Sequence, residues 1–93
     1  MNNEKKYNMM LFIADSQPNS IAALMNIQRI CQEYLGDDYS LKIIDINKES
    51  DLAVEKGVYV TPMLIIATPL PPNYIAGNMS NTAKILMALK IGK

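Results

Sequence analysis

Residues 50–77 read SDLAVEKGVYVTPMLIIATPLPPNYIAG, and the breaks in that stretch decide the fold. Ser50 or Asp51 can cap a short helix through Leu52, Ala53, Val54 and Glu55, and Gly57 stands where a left-handed glycine ends a helix. Residues 58–61 then lead to Pro62, which opens the apolar run Met63-Leu64-Ile65-Ile66-Ala67. A proline inside a helix loses a backbone hydrogen bond and clashes with the preceding turn, so this run reads as a strand. Pro69, Pro71 and Pro72 break it, and Asn73 to Ala76 form a short edge strand followed by Gly77. The two strands, joined by a proline-rich turn, are expected to pair antiparallel.

Upstream, Tyr7 to Ala14 (YNMMLFIA) is a continuous apolar run, as expected of a strand covered on both faces. Asp15-Ser16-Gln17-Pro18-Asn19-Ser20 offers several N-caps and a proline suited to a first helical turn. Over residues 20–35 apolar side chains recur at 21, 24, 27, 31, 34 and 35, with 23, 25 and 30 widening the stripe, until Gly36 stops the helix. Tyr39 to Ile46 reads as a strand that alternates at 39, 41 and 43 and then shifts phase through Ile44 to Ile46. Ser80 or Asn81 caps a last helix. Residues 1–6 are expected to be flexible and residues 7–93 to form a single domain. The predicted class is α/β, in the thioredoxin-like order βαβαββα, with a central mixed sheet and helices on both faces. Its first strand-helix-strand unit requires parallel strands and a right-handed crossover.

Composition narrows the chemistry. The chain has 93 residues, nine Lys plus Arg against nine Asp plus Glu, no His and one Cys. A balanced charge without a basic stripe removes the field a nucleic-acid binder uses, so no nucleic acid is expected as a partner. Absence of His removes the Ser-His-Asp and Cys-His arrangements and most zinc sites. The apolar run after the charged N-terminus is too short for a membrane span, so no membrane partner is expected either. No cofactor motif, metal cluster or catalytic residue is found, and a cytoplasmic, non-enzymatic binding module is the expectation.

In a thioredoxin-like fold the reactive thiol sits where the first strand meets the first helix, because the helix N-terminus stabilises a thiolate. Here that turn carries no sulfur, and Asp15 would oppose thiolate formation. Cys31 falls on the apolar stripe of the first helix and reads as a small hydrophobe. Six of the seven Met residues (Met9, Met10, Met25, Met63, Met79 and Met87) scatter over several elements, which suits core filling. The remaining one is the initiator. Asp37 and Asp38 read as an exposed loop. Thr61-Pro62 is either a rigid turn that starts a strand or, since X-Pro isomerisation takes tens to hundreds of seconds, a slow conformational element.

Taken together, Gln17-Pro18-Asn19-Ser20, Leu41-Lys42-Ile43-Ile44-Asp45, Thr61-Pro62 and Leu70-Pro71-Pro72 with Gly77 and Ser80 resemble the KaiB family of small circadian-clock proteins. The resemblance runs from Tyr7 to Ile91, and the chain is also similar to the sensor domain of SasA clock-output kinases. It implies a regulator that binds the hexameric KaiC ATPase, recruits KaiA and displaces SasA. It also implies fold switching between a tetrameric ground state of order βαββααβ and a thioredoxin-like, binding-competent monomer, two packings within a few kcal/mol of each other. Pro62, Pro69, Pro71 and Gly77 match family positions; with Pro72 and Asn78 they are the cis-proline and fold-switch candidates. Departures from the family pattern are Asp15 in place of a frequent Gly, and Ala22 and Met25 in place of frequent basic residues. Asn73 and Tyr74 likewise replace basic residues, and Asn78 and Asn81 replace acidic ones.

The residues themselves favour one of the two states. In the ground state, residues near 48–55 would be extended and residues near 63–68 helical, the reverse of what the cap, Gly57 and Pro62 prefer. The thioredoxin-like state is therefore expected to dominate at rest. Its partner-binding surface is expected at the second helix and the neighbouring strand end, with Asp45, Lys48, Glu49, Leu52 and Lys56. Two other readings compete. One is a thioredoxin-like sensor domain similar to that of SasA-type kinases, without switching. The other is a redox protein, disfavoured because there is no Cys pair.

Overall fold

A computed structural model describes residues 5–14 and 17–91. The elements are β1 (Tyr7–Ile13), α1 (Pro18–Tyr34), β2 (Tyr39–Asp45), α2 (Ser50–Glu55), β3 (Met63–Thr68), β4 (Asn73–Ala76) and α3 (Thr82–Ala88). This is the expected βαβαββα order, not the alternative βαββααβ. The sheet runs β2-β1-β3-β4, with β1 parallel to β2 and antiparallel to β3, and β4 antiparallel to β3. The two mainly apolar runs thus occupy the two central positions, where both faces of a strand are covered.

Strand alternation sends side chains to two separate cores. Met9, Leu11, Leu64, Ile66 and Ile75 face α1 and α3, where they meet Ala23, Ile27, Ile30, Cys31, Ile85 and Leu89. Phe12, Ile44 and Ile65 face the other way and meet Ala53 of α2 and Val58. The phase shift seen in β2 is the chain changing face: Tyr39 and Leu41 pack on the first core, Ile44 and Ile46 on the second. At the far end, Asn8 pairs with Thr68 but Met9 with Ile66, so Ala67 is the extra residue of a bulge. The Thr68 hydroxyl compensates, accepting from the Asn8 backbone N–H at 3.1 Å and from its Nδ2 at 2.7 Å, and donating to the Lys6 carbonyl at 3.1 Å.

Several local expectations are corrected. The buried stripe of α1 is Ser20, Ala23, Ile27, Ile30 and Cys31, one step round the helix from the predicted one. Ile21 and Met25 therefore face outward, and Met25 and Met87 are exposed instead of filling the core. The N-cap is Gln17, with Pro18 in the first turn and no side-chain cap bond. Ser20 is buried and accepts from the Ala14 N–H at 3.1 Å, a donor beyond the strand ladder that has to find a partner. Asn81 does cap α3, accepting from the Lys84 N–H. Within the N-terminal segment expected to be flexible, Lys5 Nζ donates to the Asp37 carbonyl and the Lys6 N–H to the Asp38 carboxylate. Asp15 and Ser16 lie outside the described residues, as do residues 1–4.

A candidate docking surface around the second helix

The turn that launches α2 is built by Asp45. Its carboxylate accepts from the Asn47 N–H at 2.9 Å, and its carbonyl accepts from the N–H groups of Lys48 and Glu49 at 2.9 and 3.0 Å. This side-chain-to-backbone closure reverses the chain at the end of β2. Glu49 is the N-cap and its side chain makes no capping bond, so Ser50 and Asp51 are helical residues and not caps. The turn at Asp45 has already set the direction of entry, and Asp51 in the first turn suits the helix dipole.

The helix ends as the glycine predicts. Gly57, at φ +74°, donates to the Val54 carbonyl at 3.0 Å, and Val58 donates to that of Ala53 at 2.9 Å. This is the Schellman pairing, and Ala53 and Val58, the two residues it links, are buried in the same small core. With Ala53 facing inward, Val54 must face outward, and it is 68% exposed. The loop that follows continues the display, with Tyr59 84% and Val60 55% exposed.

The five residues expected at this surface divide. Lys48 and Glu49 are exposed, whereas Asp45, Leu52 and Lys56 are half-buried. Asp45 shapes the turn, and Leu52 packs on the small core. Val54, Tyr59 and Val60 were not among the sequence candidates. The signal for Val54 was its place one residue off the inward-facing Ala53; Tyr59 and Val60 carry no periodicity that would reveal their exposure.

The fold-switch candidates separate into two groups at opposite ends of the β3–β4 hairpin. Pro62 is buried, its carbonyl accepts from the Gly77 N–H at 3.0 Å, and Gly77 sits at φ +109°. A Cβ on Gly77 would meet nothing within 4 Å, so its backbone angle and not crowding calls for glycine. Beside it, the Asn78 carbonyl accepts from Asn26 Nδ2 of α1 at 2.8 Å, and its side chain accepts from the Ser80 N–H at 3.0 Å. Pro69, Pro71 and Pro72 lie in the turn at the other end. The peptide bonds before Pro62, Pro69 and Pro71 are cis. Pro72 departs from that expectation: its bond is trans, which carries the chain extended into β4 at Asn73.

A cleft of about 340 Å³ opens where β1 meets α1, lined by Ala14, Gln17, Pro18, Asn19, Ser20, Thr61 and Pro62. None of these carries sulfur. Cys31 is wholly buried in α1, and its burial pushes the thiol up from its ordinary 9.0 to about 11, so it stays protonated and unreactive near neutral pH. Among the described residues no group of three or more His, Cys, Asp or Glu residues is placed to hold a metal ion, and no helix is long and apolar enough to cross a membrane.

Residues 10–91 match the model of the KaiB domain family. The chain is 46% identical over 81 residues to the circadian clock protein KaiB3 of Synechocystis sp., covering 87% of this chain and 79% of that one. It is 35% identical over 91 residues to the circadian clock oscillator protein KaiB of Synechococcus elongatus, covering 98% of this chain and 89% of the relative. Among solved structures, the N-terminal domain of Synechococcus elongatus SasA superposes with a TM-score of 0.76 at 18% identity, over 97% of this chain and 89% of that one. Mitochondrial thioredoxin 3 from Saccharomyces cerevisiae gives 0.74 at 17% identity, over 92% and 78%. At that identity the structural likeness shows the fold, which is thioredoxin-like.

Proposed function

Since this chain belongs to the KaiB family, we propose that it is a non-enzymatic clock-type regulator. In this reading it docks on a KaiC-like hexameric ATPase in its thioredoxin-like state, through α2 and the loop after it. The observation that carries this reading is the exposed apolar set Val54, Tyr59 and Val60 beside the charged pair Lys48 and Glu49. Exposed apolar side chains on neighbouring stretches of chain, with charged residues around them, are the usual composition of a protein interface. Asp45, Leu52 and Lys56 hold that surface in shape. A KaiA-like protein or a SasA-like kinase would then join or be displaced at the assembled ring. The proposed setting is the cytoplasm.

The thioredoxin-like state is taken to be the resting, monomeric one, with a tetrameric ground state as the minor form. Pro62, Gly77 and Asn78 at one end of the β3–β4 hairpin, and Pro69, Pro71 and Pro72 at the other, are the proposed switch positions. The Schellman end of α2 and the strand at Met63–Thr68 support this assignment, because both elements would have to be dismantled in the other packing. The competing reading, a non-switching sensor domain, shares the same fold and differs only in having no second state.

The test is co-sedimentation or size-exclusion binding to a purified hexameric KaiC-type ATPase. Val54→Asp and Lys48→Glu are expected to weaken binding at least tenfold while leaving the melting temperature within a few degrees, since both side chains are exposed. Binding that is undiminished in both variants would overturn the assignment of the surface. Absence of wild-type binding to the ring would overturn the function itself.

A further inference from the structure

The opposite edge of the sheet presents a second surface that the ring-docking reading does not use. β4 is the terminal strand and pairs only with β3. In antiparallel pairing alternate residues direct their N–H and C=O groups away from the partner, so half of this strand's backbone groups point outward along a bare edge. Among the described residues no other backbone group bonds to that edge. Alongside it runs a groove of about 650 Å³ between β4 and α3. Ile75 and Tyr74 of β4 and Ala83, Lys84 and Met87 of α3 line it, with Lys90 just past the helix end. Met87 is 76% exposed, a large apolar side chain held in solvent beside the groove. The lining contains two lysines and no acidic side chain.

We propose that this groove binds an extended, acidic segment of a partner protein as an added fifth strand. Three separate features point to that occupant. The bare edge offers main-chain hydrogen bonds that only an extended chain can complete, and a helix laid in the groove would leave them unmade. Side chains at alternate positions of such a strand share the α3 face of the sheet, where apolar ones meet Ile75 and Met87 and carboxylates meet Lys84 and Lys90. A second copy of this chain fits poorly, because a two-fold pairing would set the lysine pair of one groove against that of the other. This surface does not depend on ring docking, since α2 lies on the opposite face of the sheet.

The probe is a capped octapeptide, Val-Thr-Glu-Thr repeated twice so that Val and Glu share one face of an extended strand, titrated into the intact 15N-labelled chain, with Val-Thr-Lys-Thr repeated twice as its opposite. Expected are amide shifts confined to residues 73–76 and 83–90, with the acidic peptide bound at least tenfold more tightly than the basic one. The double variant Lys84→Glu with Lys90→Glu is expected to reverse that preference while keeping the wild-type melting temperature within a few degrees. A preference unchanged in the variant, shifts centred elsewhere, or a bound peptide that transferred NOEs show to be helical would each overturn the proposal. So would concentration-dependent self-association of the free chain through the same residues, which would make the occupant a second copy.

Discussion

Cys31 illustrates how one buried side chain couples packing to pH. It lies fully inside the core between α1 and the sheet, and burial raises its thiol from 9.0 to about 11. Below pH 9 the thiol is protonated in both folded and unfolded chains, and its packing contribution is intact. Between pH 9 and 11 the unfolded chain ionises first, so stability falls as pH rises, by up to about 2–3 kcal/mol. Urea unfolding of the wild type and of Cys31→Ala at pH 8, 9.5 and 10.5 checks this. The advantage of the wild type is expected to shrink across that range, and a constant difference would mean that the thiol is not desolvated. At the same scale, only the structure reveals that Ser20 and Thr68 stand in for missing backbone partners, because a hydroxyl's acceptor role depends on which amide lies next to it.

Among the elements, α2 is the least secured. It has six residues, one of them buried, and isolated helices of that length do not persist in water. It is held by the Asp45 turn at its start, the Gly57 pairing at its end and the contact of Ala53 with Phe12, Val58 and Ile65. Its amides are therefore expected to exchange through local opening, at a lower free energy than those of β1 and β3. Native-state hydrogen exchange of residues 52–58 against Leu11 and Ile65 measures the difference. Equal protection of both sets would show that α2 opens only with the whole domain. A weakly held element is well suited to a docking surface, since remodelling it leaves the larger core undisturbed. The sequence located α2 through Gly57, yet placed its start at a Ser50 or Asp51 cap, because a turn closed by a residue four or five positions earlier has no local signature.

For the whole molecule, the proposed switch would turn on the balance between two packings. The α1–α3 side of the sheet carries the larger core and the α2 side the smaller one. Converting to the order βαββααβ would turn the strand at Met63–Thr68 helical, directly after the buried Pro62, and would unmake the Gly57 helix end. Backbone chemical shifts are accordingly expected to show helix at 51–55, strand at 63–67 and helix at 82–88 as the main species. The reverse pattern as the main species would make the tetrameric ground state the resting form. Two slowly exchanging sets of peaks would show that both packings are populated.

By itself the sequence determined the element order, the central places of β1 and β3 and the inert state of Cys31. These follow from local rules: continuous apolar runs, glycines at helix ends, and prolines that refuse a helix interior. It also carried the family, through the order and spacing of short motifs. Tertiary structure alone decided which flank of α1 is buried, which of the apolar residues near α2 face solvent, and that β4 leaves a lysine-lined groove beside α3. Periodicity fixes which residues share a face. Only the layers packed on either side decide whether that face meets protein or water.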